Sequence, residues 1–398
     1  MLQPAVPFRH IYFCSSTYGG LPHLLFPEYA GTSGLLHNLL HKDSPTPTEE
    51  DLLIAPYARA ETECGRARPE FGGHVLNFPG KMLLFNQEAS DLIGGPRPTD
   101  ENPPRLCPYE PPGPSRGRWT SSCWAMQGST ESITVEMESA PAGPFNFFNY
   151  LPPSDRAFLV GAHPDSERSV RSPLAARYYL DHERLEWLFD PLKKAKNTGA
   201  HFAIFVATNC VGFRDAAVKR IAQLGEVHVG PNYLRRCKRY DNIPSDDLAP
   251  KLVSLPNLPP RSAMWSNWEL YRDYKFALVM ENTYRDGYVT EKILMAFQSG
   301  AVPIWYGGKY ALDIFNSEAM VFYDVENPES ALNRIRELRD DPKKYENMTK
   351  EPILKDGNQT ISEYFSIRDE VGGGRVKRKI RKMLGIDDKE FLPQAEPS

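Results

Sequence analysis

Short apolar runs separated by polar and Gly/Pro-rich stretches dominate this chain, and their character changes near residue 195. Before that point strand-like runs occur at His10 to Cys14 and Lys81 to Asn86, each bounded by Pro/Gly punctuation. After it, Phe202 to Thr208 (FAIFVAT) is apolar throughout, as a strand buried on both faces must be. Arg214 to Leu224 places Ala217, Val218, Ile221 and Leu224 at helical spacing, and Glu226 to Val229 starts a second short strand. Phe276 to Met280 (FALVM) predicts a third strand, Thr290 to Gln298 a helix stopping near Gly300, Ala301 to Tyr306 a fourth strand and Met320 to Val325 a fifth. Strand and helix alternating over short connections predict a doubly wound α/β unit, which takes ligands at the carboxyl ends of its strands. Residues 94–155 are rich in Pro, Gly and Ser with weak periodicity, as an inserted excursion would be.

A length of 398 residues exceeds one ordinary core and suits two domains. We divide the chain into residues 1–195, containing the 94–155 insertion, residues 196–365, and a helix and tail over 366–398. The net charge of −4 gives no basic field for a nucleic-acid partner. No apolar run reaches the roughly 18–20 residues that span a bilayer, and Met1 to Phe13 lacks the pattern of a signal peptide. The sequence thus shows no anchor: either the protein is cytoplasmic or a leader precedes it. Six cysteines form no C-x-x-C pair and no His cluster has zinc-ligand spacing, so no metal site is expected. The even cysteine count and two sequons, at Asn347 and Asn358, lean towards a secretory compartment. P-loop and dinucleotide-binding glycine motifs are both lacking.

The segment E-N-T-Y-R-D-G-Y-V-T-E-K, Glu281 to Lys292, joins the FALVM strand to the next helix, where such a sheet presents a ligand. Thr290 suits the N-cap, with Glu291 and Lys292 in the first turn. A lysine there is opposed by the helix dipole. The opposition vanishes if Lys292 and the free N–H groups share a bound phosphate, which points to a diphosphate ligand. Taken alone, Glu291 and Lys292 would be read as an ordinary surface ion pair.

The whole run from Lys275 to Gly307, KFALVMENTYRDGYVTEKILMAFQSGAVPIWYG, resembles the donor motif of the α1,3/α1,4-fucosyltransferases, glycosyltransferase family 10. The resemblance implies an α/β fold of GT-B type, two Rossmann-like domains facing across a cleft, with GDP-fucose held mainly by the C-terminal one. It further implies that Asn282, Tyr288, Glu291 and Lys292 contact the donor. Glu291 would bind ribose or fucose hydroxyls, and Lys292 would neutralise diphosphate charge that grows as GDP leaves. A second stretch, Val206 to Ala217 (VATNCVGFRDAA), is similar to the family's strand-to-helix segment and makes Arg214 a second phosphate clamp. Cys210 and Cys237 stand at positions like paired cysteines of animal members.

An inverting transfer needs one base to take the acceptor's proton. Phe78 to Ser90 (FPGKMLLFNQEAS) looks like the family's strand leading to that glutamate, which makes Glu88 the catalytic base, although Glu-Ala-Ser stands where the family has Glu-Ser-Pro. Glu167 is its rival. The implied function is transfer of L-fucose from GDP-fucose to a glycan or glycoprotein hydroxyl, in α1,3 linkage; a catalytically inactive relative that binds nucleotide sugar or glycan is the alternative, and a transferase using another nucleotide sugar a third. No cofactor is required, Mn2+ or Mg2+ being at most stimulatory. By family habit the compartment is the Golgi lumen and the protein a type II membrane protein, with a cytoplasmic location as the alternative. His163 and His228 read as local hydrogen-bonding residues, and the basic run Arg375 to Lys382 as a solvated helix face. Trp265, Trp268 and Tyr271 could stack on a sugar or pack a hinge.

Overall fold

The computed structural model describes residues 6–13, 21–29, 33–39, 41, 43–56, 77–85, 155–161, 165–172, 186–207, 211–231, 233–236, 251–256, 267–281, 289–308 and 310–387. Glu88, Asn282, Tyr288, His163, Trp265, Cys210, Cys237 and residues 94–154 lie outside them. The described residues fall into two compact units, one drawn from 6–85, 155–172 and 361–387, the other from 186–360.

The first unit holds six parallel strands: β1 Ile11–Phe13, β2 Leu36–Asn38, β3 Leu52–Pro56, β4 Lys81–Phe85, β5 Ala157–Gly161 and β6 Ser169–Arg171, in the order β2-β1-β3-β4-β5-β6. Alternate residues of each strand serve opposite faces of the sheet. Ile11, Leu52, Ile54, Leu83 and Val160 belong to one core, and Tyr12, Leu53, Met82, Leu84 and Leu159 to another.

The second unit holds β7 His201–Phe205, β8 Val227–Val229, β9 Leu252–Ser254, β10 Tyr274–Leu278, β11 Val302–Trp305 and β12 Val321–Phe322. Their order is β12-β11-β10-β7-β8-β9, again all parallel. From β7 the chain steps outwards through β8 to β9 on one side, and from β10 through β11 to β12 on the other. The order therefore reverses between β7 and β10, which makes their carboxyl ends the switch point where doubly wound sheets open a ligand crevice. Each unit has the Rossmann-like α/β pattern expected from the sequence. Pro303 is tolerated within β11 because pairing with β12 begins only at Ile304, so the missing N–H leaves no gap in a ladder.

Helices used below are α1 Leu21–Leu25, α2 Gly212–Ala222, α3 Asn267–Tyr271, α4 Glu291–Ser299, α5 Glu329–Asp340 and α6 Arg375–Met383. Helix α4 follows the sequence reading closely. Thr290 caps it by accepting from the Lys292 N–H, and Gly300 ends it with φ +76°. A Cβ at Gly300 would meet the Ala195 carbonyl oxygen at 2.8 Å. Gly300→Ala thus combines left-handed strain with a backbone clash and is expected to cost about 2 kcal/mol, read as a shifted denaturation midpoint at unchanged slope.

Helix α6 departs from the expected solvated face. Val376 and Ile380 join the core of the first unit, and Lys377 and Arg381 are buried at 2% and 0% exposure. Burial of these cations is tolerated because each meets an anion. Arg381 pairs with Glu28 at 2.9 Å and donates to the Leu25 carbonyl at 2.9 Å at the end of α1, while Lys377 pairs with Asp369. Lys379 reaches both Asp165 and Glu363 at 2.7 Å. One face of the basic run is thus built into the first unit, while Arg375, Arg378 and Lys382 on the other are exposed, as in the expected solvated face. No helix among the described residues is long and apolar enough to cross a membrane. Asn347 and Asn358 are both exposed.

Candidate functional site

The switch-point strand β10 delivers a buried carboxylate to the sheet's carboxyl edge. Beyond Leu278 the chain stays beside β11, with the Val279 N–H donating to Ile304 at 2.9 Å and the Glu281 N–H to Tyr306 at 2.8 Å. Glu281 is thereby fixed at its backbone, and its side chain is wholly buried. It accepts from the Thr290 N–H at 2.8 Å, and the Thr290 hydroxyl lies 2.8 and 3.0 Å from its two oxygens. Lys292 Nζ completes the cluster, donating to Thr290 Oγ1 at 2.8 Å and to Glu281 Oε2 at 3.4 Å. Glu291 stands 3.7 Å from the same ammonium. Thr290 does more than cap the helix: it relays between the carboxylate and the lysine.

Room for this carboxylate comes from Gly307, where a Cβ would approach the Trp305 indole at 2.5 Å and the Glu281 side chain at 3.1 Å. Burial pushes the Glu281 carboxyl above its ordinary value, and neighbouring Glu291 adds to this, while Lys292 and the Thr290 donors pull the other way. The Lys292 side chain is 30% exposed. It is held from beneath by Glu281 and Thr290 and still reaches solvent at the amino end of α4.

The second switch-point strand, β7, leads into α2, whose first turn carries Arg214. Arg214 is 4% exposed, and its Nη1 donates to the Met280 carbonyl at 3.5 Å, the residue before Glu281. Its guanidinium lies over the Phe205 ring at 5.8 Å, close enough for a cation–π contact. The structure therefore brings Arg214, Glu291 and Lys292 to one edge of one sheet, from stretches more than seventy positions apart in sequence. Two cations, the free N–H groups of α4 and the positive end of its dipole suit a bound diphosphate.

Of the other expected residues, Glu88, Asn282 and Tyr288 lie outside the described residues. Glu167 is exposed in the turn leading into β6, at the amino end of that strand. Tyr271 is buried in α3 and Trp268 half-buried. His228 is a hydrogen-bonding residue, as its sequence context suggested, with Tyr274 and Glu226 as partners. Glu281 was not among the sequence candidates. Its signal is a carboxylate placed directly after an apolar strand end, where the backbone has no route to the surface.

Comparison with known proteins places this geometry in context. Residues 260–350 match the sequence model of glycosyltransferase family 10 (fucosyltransferase), C-terminal part. The chain is 26% identical over 187 residues to GDP-fucose protein O-fucosyltransferase 3 of Canis lupus familiaris, covering 45% of this chain and 36% of that protein. It is 37% identical over 87 residues to alpha-(1,3)-fucosyltransferase FucT of Helicobacter pylori, covering 22% of this chain and 18% of that one. A crystal structure of an α1,3-fucosyltransferase superposes with a TM-score of 0.49 at 16% identity, over 100% of this chain and 96% of the other. The chain thus matches well under half the length of these curated relatives.

Proposed function

We propose, from the match of residues 260–350 to the glycosyltransferase family 10 model, that the chain is an inverting fucosyltransferase that uses GDP-fucose. The observation that carries this reading is the Glu281–Thr290–Lys292 cluster beside Arg214, at the switch point of the second sheet. A nucleotide diphosphate laid on the first turn of α4 would meet Lys292 on one side and Arg214 on the other. Glu291 would hold ribose or fucose hydroxyls, with Asn282 and Tyr288 completing the donor contacts.

In this reaction the acceptor oxygen attacks the anomeric carbon of fucose as the bond to the diphosphate oxygen breaks. GDP departs with the electron pair, and Glu88 takes the acceptor's proton. Configuration inverts because attack and departure occur on opposite sides. Charge develops on the leaving diphosphate, where Lys292, Arg214 and the helix amides are already fixed, so they stabilise the transition state more than the ground state. Side chains and the helix end supply this charge, so the reaction needs no obligatory ion, and Mn2+ or Mg2+ would at most stimulate. The acceptor is a glycan or glycoprotein hydroxyl, taken in α1,3 linkage, and the setting is the secretory pathway, in the Golgi. Residues 1–195 would supply the acceptor side and 196–365 the donor side.

The test is GDP release from GDP-fucose over a panel of glycan and glycoprotein acceptors, with Glu88→Gln beside the wild type. Acceptor-dependent release that falls by about 10²-fold or more in Glu88→Gln, while GDP binding is kept, is the expected result. Donor binding without turnover on any acceptor would favour an inactive relative. Turnover that Glu88→Gln leaves intact would remove that residue as the base.

A further inference from the structure

A second cluster of chemically able side chains lies at the other end of the second sheet. His201 opens β7, Glu226 immediately precedes β8, His228 lies within β8 and Tyr274 opens β10. All belong to the amino ends of adjacent strands, whereas Glu281 follows the carboxyl end of β10. Tyr274 and Glu281 lie seven positions apart along extended chain, roughly 20 Å. The proposed donor chemistry makes no use of this end.

One ligand atom from each of His201, Glu226 and His228 lies within 4.8 Å of the others. His228 Nε2 is 2.7 Å from Glu226 Oε1, and its Nδ1 is 2.7 Å from the Tyr274 hydroxyl. The His201 ring stacks obliquely on His228 at 4.7 Å between centroids and lies 5.2 Å from the Tyr274 ring. His228 is the anchored member, with its side chain 11% exposed, while the Glu226 side chain is 53% exposed and His201 is exposed too. One ligand is thus fixed and two can adjust.

We propose that His201, Glu226 and His228 form a binding site for a divalent transition-metal ion of the zinc class, with His228 Nε2, an imidazole nitrogen of His201 and a Glu226 oxygen as ligands. Two imidazoles and one carboxylate are a donor set that zinc-like ions favour over Mg2+ or Ca2+, which prefer oxygen alone. Ligand bonds of about 2.0–2.1 Å in tetrahedral array put the donor atoms about 3.3 Å apart. The 2.7 Å pair must part slightly and the widest separation must close, both within reach of the exposed Glu226 and His201 side chains. Three protein ligands leave the fourth position to water.

The second shell is already in place. A ligating histidine needs its other nitrogen protonated and held by an acceptor. The Tyr274 hydroxyl at Nδ1 meets that need, since it can accept from Nδ1–H as readily as it donates to a bare nitrogen. Without metal, His228 is satisfied by Nε2–H donating to Glu226 and Nδ1 accepting from Tyr274. Metal uptake at Nε2 moves that single ring proton to Nδ1, where it is donated to the Tyr274 hydroxyl. Linear spacing hides this site because β7 and β8 are joined through α2, leaving His201 and Glu226 25 positions apart.

The experiment is a titration of the full-length chain with Co2+ and then Zn2+ at neutral pH, followed by visible absorption and calorimetry. The expected result is one ion per chain, a tetrahedral cobalt spectrum without sulfur-to-metal charge transfer, and displacement by Zn2+. His201→Ala and Glu226→Gln, both at exposed positions, should each weaken binding at least about tenfold, and Tyr274→Phe about tenfold through the lost support. GDP binding, at the opposite edge, should be unchanged in His201→Ala, so this site and the donor site stand or fall separately. No stoichiometric binding, a thiolate spectrum, or binding that survives both ligand substitutions would overturn the proposal.

Discussion

Lys292→Ala is expected to lower kcat/KM for GDP-fucose by about 10²–10³-fold while the fold remains intact. The ammonium sits at the amino end of α4, supported by Thr290 Oγ1 at 2.8 Å and Glu281 Oε2 at 3.4 Å. A cation is disfavoured there by the helix dipole, a cost that Glu281 and Glu291 offset in part and a bound anion would offset further. Its contribution should therefore be greatest when the leaving diphosphate carries most charge, and the loss should fall on kcat as well as KM. Lys292→Arg restores the charge with a longer, planar group and should recover only part of the activity. Initial-rate kinetics of GDP release check this. An unchanged kcat/KM would mean that no diphosphate charge reaches this lysine.

Glu281→Ala should lower the unfolding free energy by about 3 kcal/mol. The carboxylate is fully buried beside Gly307, and its removal strips the acceptor from the Thr290 N–H and from Lys292 while leaving a void in the core. Activity should fall with stability, because Lys292 then loses the group that aims it. Glu281→Gln separates the two effects: it keeps the volume but turns an amide towards donors. The pH dependence has a definite sign. Burial holds this carboxyl above its unfolded value near 4.5, so its contribution to stability is complete below that value and fades as pH rises through the folded one. The penalty of Glu281→Gln, measured by denaturation, should accordingly be larger near pH 5 than near pH 8. A penalty that grows towards alkaline pH would show that the Lys292 and Thr290 contacts outweigh burial.

Much of the second unit was legible in the sequence because its strands are buried on both faces. FAIFVAT, FALVM and AVPIWY have nothing to mimic them in a loop, and β7, β10 and β11 lie within or just before those runs. Helix α4 was legible at both ends, since a threonine cap and a left-handed glycine are local signals. Short strands such as β2 and β6, three residues each, carry too little pattern to stand out from their surroundings.

The misread element was α6, where charge masked a buried face. Val376 and Ile380 are spaced as one helical stripe, but the burial of Lys377 and Arg381 depends on Asp369 and Glu28, the latter 353 positions away. Glu281 escaped notice for a related reason: whether a carboxylate is buried is decided by what covers it, here Gly307 and Thr290. The half-buried motif residues Glu291 and Lys292 were named from sequence, and the carboxylate beneath them was not. The Glu226–His228 pair with His201 was hidden by sheet order, which only the fold supplies.

Calorimetric titration of the wild-type chain and Lys292→Ala with GDP, and of the wild type with UDP, tests the central claim most directly. That claim is that Lys292 and Arg214, on the switch point of the second sheet, hold a guanosine diphosphate. The account predicts one GDP per wild-type chain, at least about tenfold weaker binding in Lys292→Ala, and clearly weaker binding of UDP. GDP that fails to bind, or binds Lys292→Ala as tightly as the wild type, would contradict it.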